Sequence, residues 1–250
     1  MVEKIGVRIL KLEICVDSIE SYNNAKRAGA DRVEICSALF ADGLSPDIGL
    51  VAYACMDEKI EKFVMLRPRN GSFCYDEDEI KQIEKAVIAY KKYSIDGFVF
   101  GALGVDGNLD LELIKKIVKI AYPLPVSLHR AFDYSKDGEK VIDQLIDIGI
   151  IRILTSGKKA KAYDSLDLLS DINHKYGKDI EIMVGSGVNS KNIGDIFEKT
   201  KITNFHMSAR TKVKSGSCYK SDMELASAGK FIASYEEIKN SREILNRLEV

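Results

Sequence analysis

The chain has 250 residues, of which 46% are hydrophobic and 30% are charged, and its formal net charge is −1. This length suits one large α/β domain, and the near-neutral charge excludes the strongly basic surface typical of nucleic-acid-binding proteins. No apolar stretch is long enough to span a bilayer and residues 1–10 lack a signal-peptide core, so we expect a cytoplasmic protein with neither nucleic-acid nor membrane partners.

Short runs rich in valine, isoleucine and leucine recur along the chain, and each is followed by a longer amphipathic stretch. The runs predict eight strands, at Ile9–Cys15, Arg32–Cys36, Lys62–Arg67, Gly97–Gly101, Pro125–Arg130, Ile151–Thr155, Ile180–Gly185 and Asn204–Ser208. The stretches predict helices at Ser18–Ala28, Ile48–Met56, Asp78–Tyr93, Leu111–Tyr122, Gly138–Ile148, Asp164–Tyr176, Asn189–Lys199 and Tyr235–Arg247.

Eight alternating strands and helices predict a parallel sheet that closes into a (β/α)8 TIM barrel, with an open doubly wound sheet as the alternative. Two similar phrases, Ala28–Val33 and Ile148–Ile153, each combine a helix end, a tight turn and a strand that begins with arginine. Such similarity is typical of repeated βα units. Without a linker or a low-complexity tract, we expect one domain over residues 1–250, with the last helix and a tail from about residue 211.

Polar residues late in the predicted strands indicate the functional face, because side chains alternate between the barrel lumen and the helix layer. Glu13 and Cys15 share a face of the first strand, and Glu34 and Cys36 share a face of the second. Since consecutive strands of a barrel are neighbours, we expect two carboxylates and two thiols side by side in the lumen.

Other strands carry polar residues at the same end. Arg67 is assigned to the lumen on the third strand, His129 on the fifth and His206 on the eighth. Arg69, Arg130 and Asp133 follow in the loops or near the strand ends. Neither lumenal histidine has the local spacing of a zinc motif.

Buried charges are costly unless they are paired, so two interpretations remain open. In the first, Glu13, Glu34 and Arg67 form a structural salt-bridge network. In the second, Glu13, Glu34, His129 and Asp133 perform acid/base chemistry. The second interpretation also assigns the binding of an anionic or sugar-like ligand to three arginines, Arg67, Arg69 and Arg130.

The loops after the last three strands contain glycines and hydroxyl groups that can donate hydrogen bonds to an oxyanion. The candidate residues are Thr155, Ser156, Gly185, Gly187 and Ser208. A requirement for tight turns explains the Gly185-Ser186-Gly187 sequence equally well.

The chain has five cysteines without a Cys-x-x-Cys pair, so neither a disulfide framework nor a zinc ribbon is indicated. Cys15 and Cys36 end adjacent strands on matching faces, with Met65 nearby. Soft thiolates select Cu(I), so this pair is a candidate copper site. The alternative is that both cysteines are small buried hydrophobic residues.

The motifs together resemble the CutC family, which is named for copper homeostasis. The resemblance extends over roughly residues 10–210 and rests on several ordered segments: Leu12–Ser18, Gly29–Cys36, Arg67–Arg69, Phe73–Tyr75, Leu128–Asp133 and Leu154–Gly157. It implies a cytoplasmic barrel protein, commonly a homodimer or a higher oligomer, that is associated with copper tolerance. It also implies a role in Cu(I) binding for the positions of Cys15 and Cys36.

Two segments depart from the family pattern, and one of them, Gly185-Ser186-Gly187 in place of Gly-Gly-Gly or Gly-Ala-Gly, is a conservative change. The family usually has Gly-Gly-Thr-Thr-Pro-Ser in the loop where this chain has Asp42–Asp47, which puts the identity of the ligand in question. Two hypotheses follow. The chain is either a Cu(I)-binding homeostasis protein or an enzyme on a small anionic or sugar-like substrate. In the enzyme, Glu13 or Glu34 is the acid/base, His129 is its partner or an electrophile, and Arg67 is the anchor.

Overall fold

A computed structural model describes residues 9–214 and 229–249 of the chain. Eight parallel strands form its centre: β1 (Lys11–Val16), β2 (Arg32–Ile35), β3 (Glu61–Met65), β4 (Gly97–Phe100), β5 (Val126–Leu128), β6 (Ile150–Thr155), β7 (Glu181–Val184) and β8 (Asn204–Met207). Each strand pairs with the next, and β8 pairs with β1. The pairing of the first and last strands confirms the (β/α)8 barrel and excludes the open sheet.

The described residues contain nine α-helices, most of which surround the barrel: α1 (Ile19–Arg27), α2 (Ile48–Ala54), α3 (Glu77–Tyr90), α4 (Leu111–Ala121), α5 (Ala131–Tyr134), α6 (Ile142–Ile148), α7 (Leu166–Tyr176), α8 (Ile193–Thr200) and α9 (Tyr235–Leu248). Ser18 caps α1 by accepting the Ser21 N–H, and Asp76 forms a capping box with Glu79 at the start of α3. These caps satisfy backbone donors that a helix leaves free in its first turn. Within the described ranges, no helix has the length and apolarity to cross a bilayer.

The main departures from the predicted elements lie after β5 and after β8. The fifth strand ends at Leu128, so His129 and Arg130, predicted as its end, lie in the turn before the short helix α5, with Arg130 at the N-cap position. The predicted helix starts at Gly138 and Asp164 fall in 3₁₀ turns, Gly138–Val141 and Ala162–Ser165. Short 3₁₀ segments are common at helix starts, and hydrophobic periodicity alone does not separate them from α-helix.

An antiparallel pair of strands, β9 (Arg210–Val213) and β10 (Lys230–Ala233), precedes α9 and was not predicted. Ala233 attaches this pair to α1, because its N–H donates to Ser21 Oγ and its carbonyl accepts from Asn24 Nδ2. The predicted domain over residues 1–250 extends into three parts of the chain, residues 1–8, 215–228 and 250, that lie outside the described residues. Cys218 lies in the second of these.

Two apolar clusters follow from the alternation of side chains along the strands. Leu12 and Ile14 of β1 are fully buried in the large cluster between the barrel and its helices. The second cluster lies in the lumen and contains five buried residues: Cys15, Cys36, Phe63, Met65 and Val99. The cysteines therefore lie on the opposite strand face from the main core, as the alternation predicts.

The lumen is packed closely around Phe63. Gly97 is the β4 neighbour of Phe63, and an added Cβ at Gly97 would lie 2.4 Å from Phe63 Cε1. On the other sides of the ring, the guanidinium carbons of Arg32 and Arg152 lie 5.6 and 4.9 Å from its centroid. Phe63 therefore has little room to move away from a larger side chain on β4.

We expect Gly97→Ala to lower the free energy of unfolding by about 1–3 kcal/mol, the usual cost of overpacking a core. Gly194→Ala in α8 is the matched control, because its new methyl would lie 3.4 Å from Ile244 Cγ2 and alanine favours a helix by about 0.5–1 kcal/mol. Urea unfolding of both variants measures the difference. Unchanged stability of Gly97→Ala would show that Phe63 can shift.

Candidate functional site

A cavity of about 740 Å³ lies at the carboxyl ends of the strands, where barrel enzymes and binding proteins hold their ligands. Strand ends and the loops that follow them form its wall. Seven of the residues predicted for the site line this cavity: Cys15, Glu34, Arg67, His129, Arg130, Gly187 and Ser208.

A buried ion pair between Arg32 and Glu13 lies in the lumen. Strand register places Arg32 of β2 and His206 of β8 on the two sides of Glu13. Arg32 is 1% exposed, donates through Nε to Glu13 Oε2, and donates through Nη2 to Asn204 Oδ1 at 3.2 Å. Burial opposes ionisation of Glu13, but Arg32, His206 and Arg152 together outweigh burial and lower the pKa of the carboxyl.

Glu34 and His206 lie next to this pair and face the cavity. His206 Nε2 is 3.6 Å from Glu34 Oε2 and 3.7 Å from Glu13 Oε1. Among the residues that the structure describes, these three atoms are buried and have no hydrogen-bond partner. Burial disfavours the imidazolium, but Cys15 and Glu34 outweigh it and raise the pKa of His206 well above its ordinary value.

The two predicted copper ligands occupy different depths. Cys15 lines the cavity, whereas Cys36 is 0% exposed and lies in the same lumenal cluster as Met65. Cys36 Sγ lies 3.5 Å from the Val16 carbonyl oxygen. Burial raises the pKa of both thiols, and it does so most strongly for Cys36, where the nearby Cys15 and Glu34 also disfavour the thiolate.

Arg67 and His129 provide hydrogen-bond donors on another part of the wall. Arg67 is 4% exposed and donates to three loop carbonyls, of Ala41, Gly43 and Gly71, while its Nε has no acceptor among the described residues. His129 Nδ1 accepts the Ala131 N–H. Burial, with Arg67 nearby, lowers the pKa of His129 to about 3. The neutral ring therefore carries its hydrogen on Nε2, which has no acceptor in the described part of the chain.

Phe73 packs against both Arg67 and His129, so the Nε–H of Arg67 and the Nε2–H of His129 lie in the same region of the wall. Its ring centroid lies 4.7 Å from that of His129 and 4.9 Å from the Arg67 guanidinium carbon. A buried N–H without an acceptor is costly. The pair is therefore suited to a ligand that presents an oxygen atom.

Asp133 connects the loops after β5 and β6 and does not line the cavity. Its carboxylate accepts from Thr155 Oγ1 at 2.6 Å, from Ser156 N at 3.0 Å and from Arg130 Nε at 2.9 Å. The donors of Thr155 and Ser156 that the sequence suggests for an oxyanion therefore face a carboxylate of the protein itself.

The structure also shows the contacts and positions of three further residues predicted for the site, Arg69, Gly185 and Gly187. Arg69 pairs with Glu79, donates to the carbonyls of Ser72 and Cys74, and does not line the cavity. The Gly185 N–H donates to the Thr155 carbonyl at 3.1 Å, and Gly187 has a φ of +77° in a turn that lines the cavity.

The salt-bridge network of Glu13, Glu34 and Arg67, one of the two interpretations that the sequence left open, does not form in the part of the chain that the structure describes. Among the described residues, Arg67 forms no ion pair with Glu13 or Glu34, because it is held by loop carbonyls, and Arg32 pairs with Glu13 instead. Arg152, at the matching position of β6, pairs with Glu181 at 2.6 Å. The repeated phrase of a turn followed by a strand that begins with arginine contained the signal for both residues. His206 was assigned to the lumen but not to the site.

We expect Arg32→Met to lower the free energy of unfolding by about 3–5 kcal/mol, because it leaves the Glu13 carboxylate buried without its partner. The double variant Glu13→Leu, Arg32→Met should lose less than the single variant, since it removes the unpaired charge as well. Lys239→Met is the control, because the Lys239–Glu243 pair is 48% and 49% exposed and such pairs contribute at most about 1 kcal/mol. Urea unfolding compares the three, and a double variant that is as unstable as Arg32→Met, or less stable, would contradict the assignment.

Comparison with known proteins places the chain in a family. The sequence pattern of the CutC family matches residues 10–211. The copper homeostasis protein cutC homolog of Homo sapiens is 40% identical over 205 residues, which cover 82% of this chain and 75% of the human protein. A CutC family protein from Glaesserella parasuis is 40% identical over 201 residues, which cover 80% of this chain and 83% of the relative.

Solved structures agree with this assignment. A CutC structure from Streptococcus agalactiae superimposes with a TM-score of 0.76 at 28% identity, covering 80% of this chain and 99% of that chain. A thiamine phosphate pyrophosphorylase from Pyrococcus furiosus, at 15% identity and a TM-score of 0.58 over 96% of both chains, shares the fold alone. The family pattern and the identity of about two fifths over most of the sequence show that the chain belongs to the CutC family.

Proposed function

We propose that this chain is a copper homeostasis protein that binds Cu(I) through Cys15 and Cys36. Its relatives carry that name, and they favour this hypothesis over the enzyme hypothesis. The observation that carries the proposal is the buried lumenal cluster of two thiols and the Met65 thioether. Soft sulfur ligands select Cu(I) over harder cations.

The positions of the two thiols and their protonation affect how Cu(I) would bind. Cys15 lines the cavity and Cys36 lies deeper, so an ion entering the cavity meets Cys15 first. Both thiols have raised pKa values because of burial, so Cu(I) has to displace their protons. Affinity should therefore weaken as the pH falls.

We expect the double variant Cys15→Ser, Cys36→Ser to weaken Cu(I) binding by at least about tenfold, because both sulfur ligands are lost. Anaerobic competition with a chromophoric Cu(I) chelator measures the affinity. The matched control is Cys55→Ser, Cys74→Ser, which removes two partly exposed thiols outside the lumenal cluster. Equal affinities of the wild type and the Cys15, Cys36 variant would exclude this copper site.

We also propose that the protein acts in the cytoplasm as a homodimer, as the family resemblance implies. Support for association comes from apolar side chains on the loops around the cavity. Phe40, Val105 and Tyr134 are 85%, 102% and 62% exposed in the chain. The three residues follow β2, β4 and β5, so all of them lie at the carboxyl end of the barrel, and apolar surface on one side of a molecule is typical of an interaction site.

We expect light scattering to give the mass of a dimer for the wild type and the mass of a monomer for Phe40→Asp, Val105→Asp at the same concentration. A charge placed in an interface without a partner disfavours association. Met56→Asp is the control, because Met56 is 81% exposed and precedes β3 at the opposite end of the barrel. A monomeric wild type would contradict the proposal, as would a dimer that survives the double substitution.

A further inference from the structure

We propose that Glu13, Glu34 and His206 form a binding site for a divalent cation of the zinc or manganese type, distinct from the thiol pair. The three side chains come from β1, β2 and β8, which are neighbours in the closed barrel. Their ligand atoms all lie within 4.8 Å of one another. No local sequence motif marks this set, because each ligand comes from a different strand.

The separations between these atoms fit a shared metal ion better than direct hydrogen bonds. His206 Nε2 lies 3.7 Å from Glu13 Oε1 and 3.6 Å from Glu34 Oε2, beyond the usual N–H···O range. In a tetrahedral zinc site with bonds near 2.1 Å, neighbouring ligand atoms lie about 3.4 Å apart. A small movement of the side chains would therefore place one ion within bonding distance of all three atoms.

The burial of the three side chains is a second observation, besides the separations between their atoms, that supports a cation site. Glu13 and Glu34 are 1% and 3% exposed, and the His206 side chain is 12% exposed. The three candidate ligand atoms have no hydrogen-bond partner among the described residues. Buried polar atoms normally have partners, so a set of three that converges on one point indicates a group that all three bind.

The surrounding charges favour a cation at this point. Arg32 binds only the Oε2 atom of Glu13 and leaves Oε1 directed at His206. In the described ranges, Glu34 forms no ion pair with a lysine or an arginine. One oxygen of the Glu13 carboxylate binds a charged side chain, and the other is left for a metal ion. Ligands in metal sites are commonly oriented by such a hydrogen-bonded partner.

Donor chemistry separates this site from the copper site. Carboxylate and imidazole ligands suit zinc and manganese, whereas Cu(I) prefers thiolates. Glu34 and His206 line the cavity, so an ion can reach the site from the barrel mouth. Three protein ligands leave at least one position open, which is the arrangement of catalytic rather than structural zinc sites.

Isothermal titration with zinc chloride, on protein freed of metal by a chelator, tests the proposal. We expect one ion per chain, with affinity weakened at least about tenfold by Glu34→Gln and by His206→Gln. Asp42→Asn is the matched control, because Asp42 is an exposed cavity carboxylate outside the cluster, and asparagine tolerates its φ of +61°. Its affinity should equal that of the wild type.

The wild type substituted with cobalt gives a readout that does not depend on folded variants. We expect visible bands of oxygen and nitrogen ligation without thiolate-to-cobalt charge transfer. A charge-transfer band would overturn the proposal, as would unchanged zinc affinity in both Glu34→Gln and His206→Gln. The Cys15→Ser, Cys36→Ser variant tests the copper proposal separately. It removes the two thiols and leaves Glu13, Glu34 and His206 unchanged.

Discussion

The buried ion pair between Arg32 and Glu13 lies in the barrel lumen, and Asn204 and His206 of β8 lie next to it. Arg32 also contacts Asn204 of β8 and lies over Phe63 of β3, so one side chain connects three strands to Glu13 of β1. Removing such a charge from water is costly unless its partner stays in place. The register of these strands is therefore coupled to the pairing, since a shift of one residue would turn Arg32 or Glu13 away from the lumen.

Next to this pair, soft and hard donors lie side by side in the lumen, with Cys15 close to Glu34 and His206. Cys15, Cys36 and Met65 pack with Phe63 and Val99 in an apolar cluster. Glu34 and His206 face the cavity on the neighbouring part of the wall, with Glu13 behind them. This arrangement explains how one barrel mouth can carry both features seen in the sequence, the pair of thiols and the group of charged and polar side chains. The two sets select different ions by their chemistry, so the proposed copper and divalent sites are tested by different variants.

The predictable part of the site came from side-chain alternation. Glu13 and Cys15 on one strand face, and Glu34 and Cys36 on the next, are properties of a period of two and need no coordinates. Alternation predicts the strand face on which the Arg67 side chain lies, but it predicts neither how deep that side chain lies in the lumen nor which group it contacts. Arg67 is long enough to reach several acceptors, and loop carbonyls of Ala41, Gly43 and Gly71 satisfy it. Asp133, in the same way, binds the loop of Thr155 and Ser156, which lies next to it only in the folded chain.

The sequence by itself determined the order of the eight barrel strands and the family, because hydrophobic periodicity and ordered motifs are local properties. It predicted the barrel, but the pairing of β8 with β1 excluded the open sheet. It also determined which strand residues point inward. Only the tertiary structure decided that Arg32, and not Arg67, neutralises Glu13, and that His206 lies between two carboxylates. Such contacts depend on the stagger between strands that are up to 193 residues apart along the chain, as for Glu13 and His206. Local pattern has no information about that stagger, which the closure of β8 onto β1 sets.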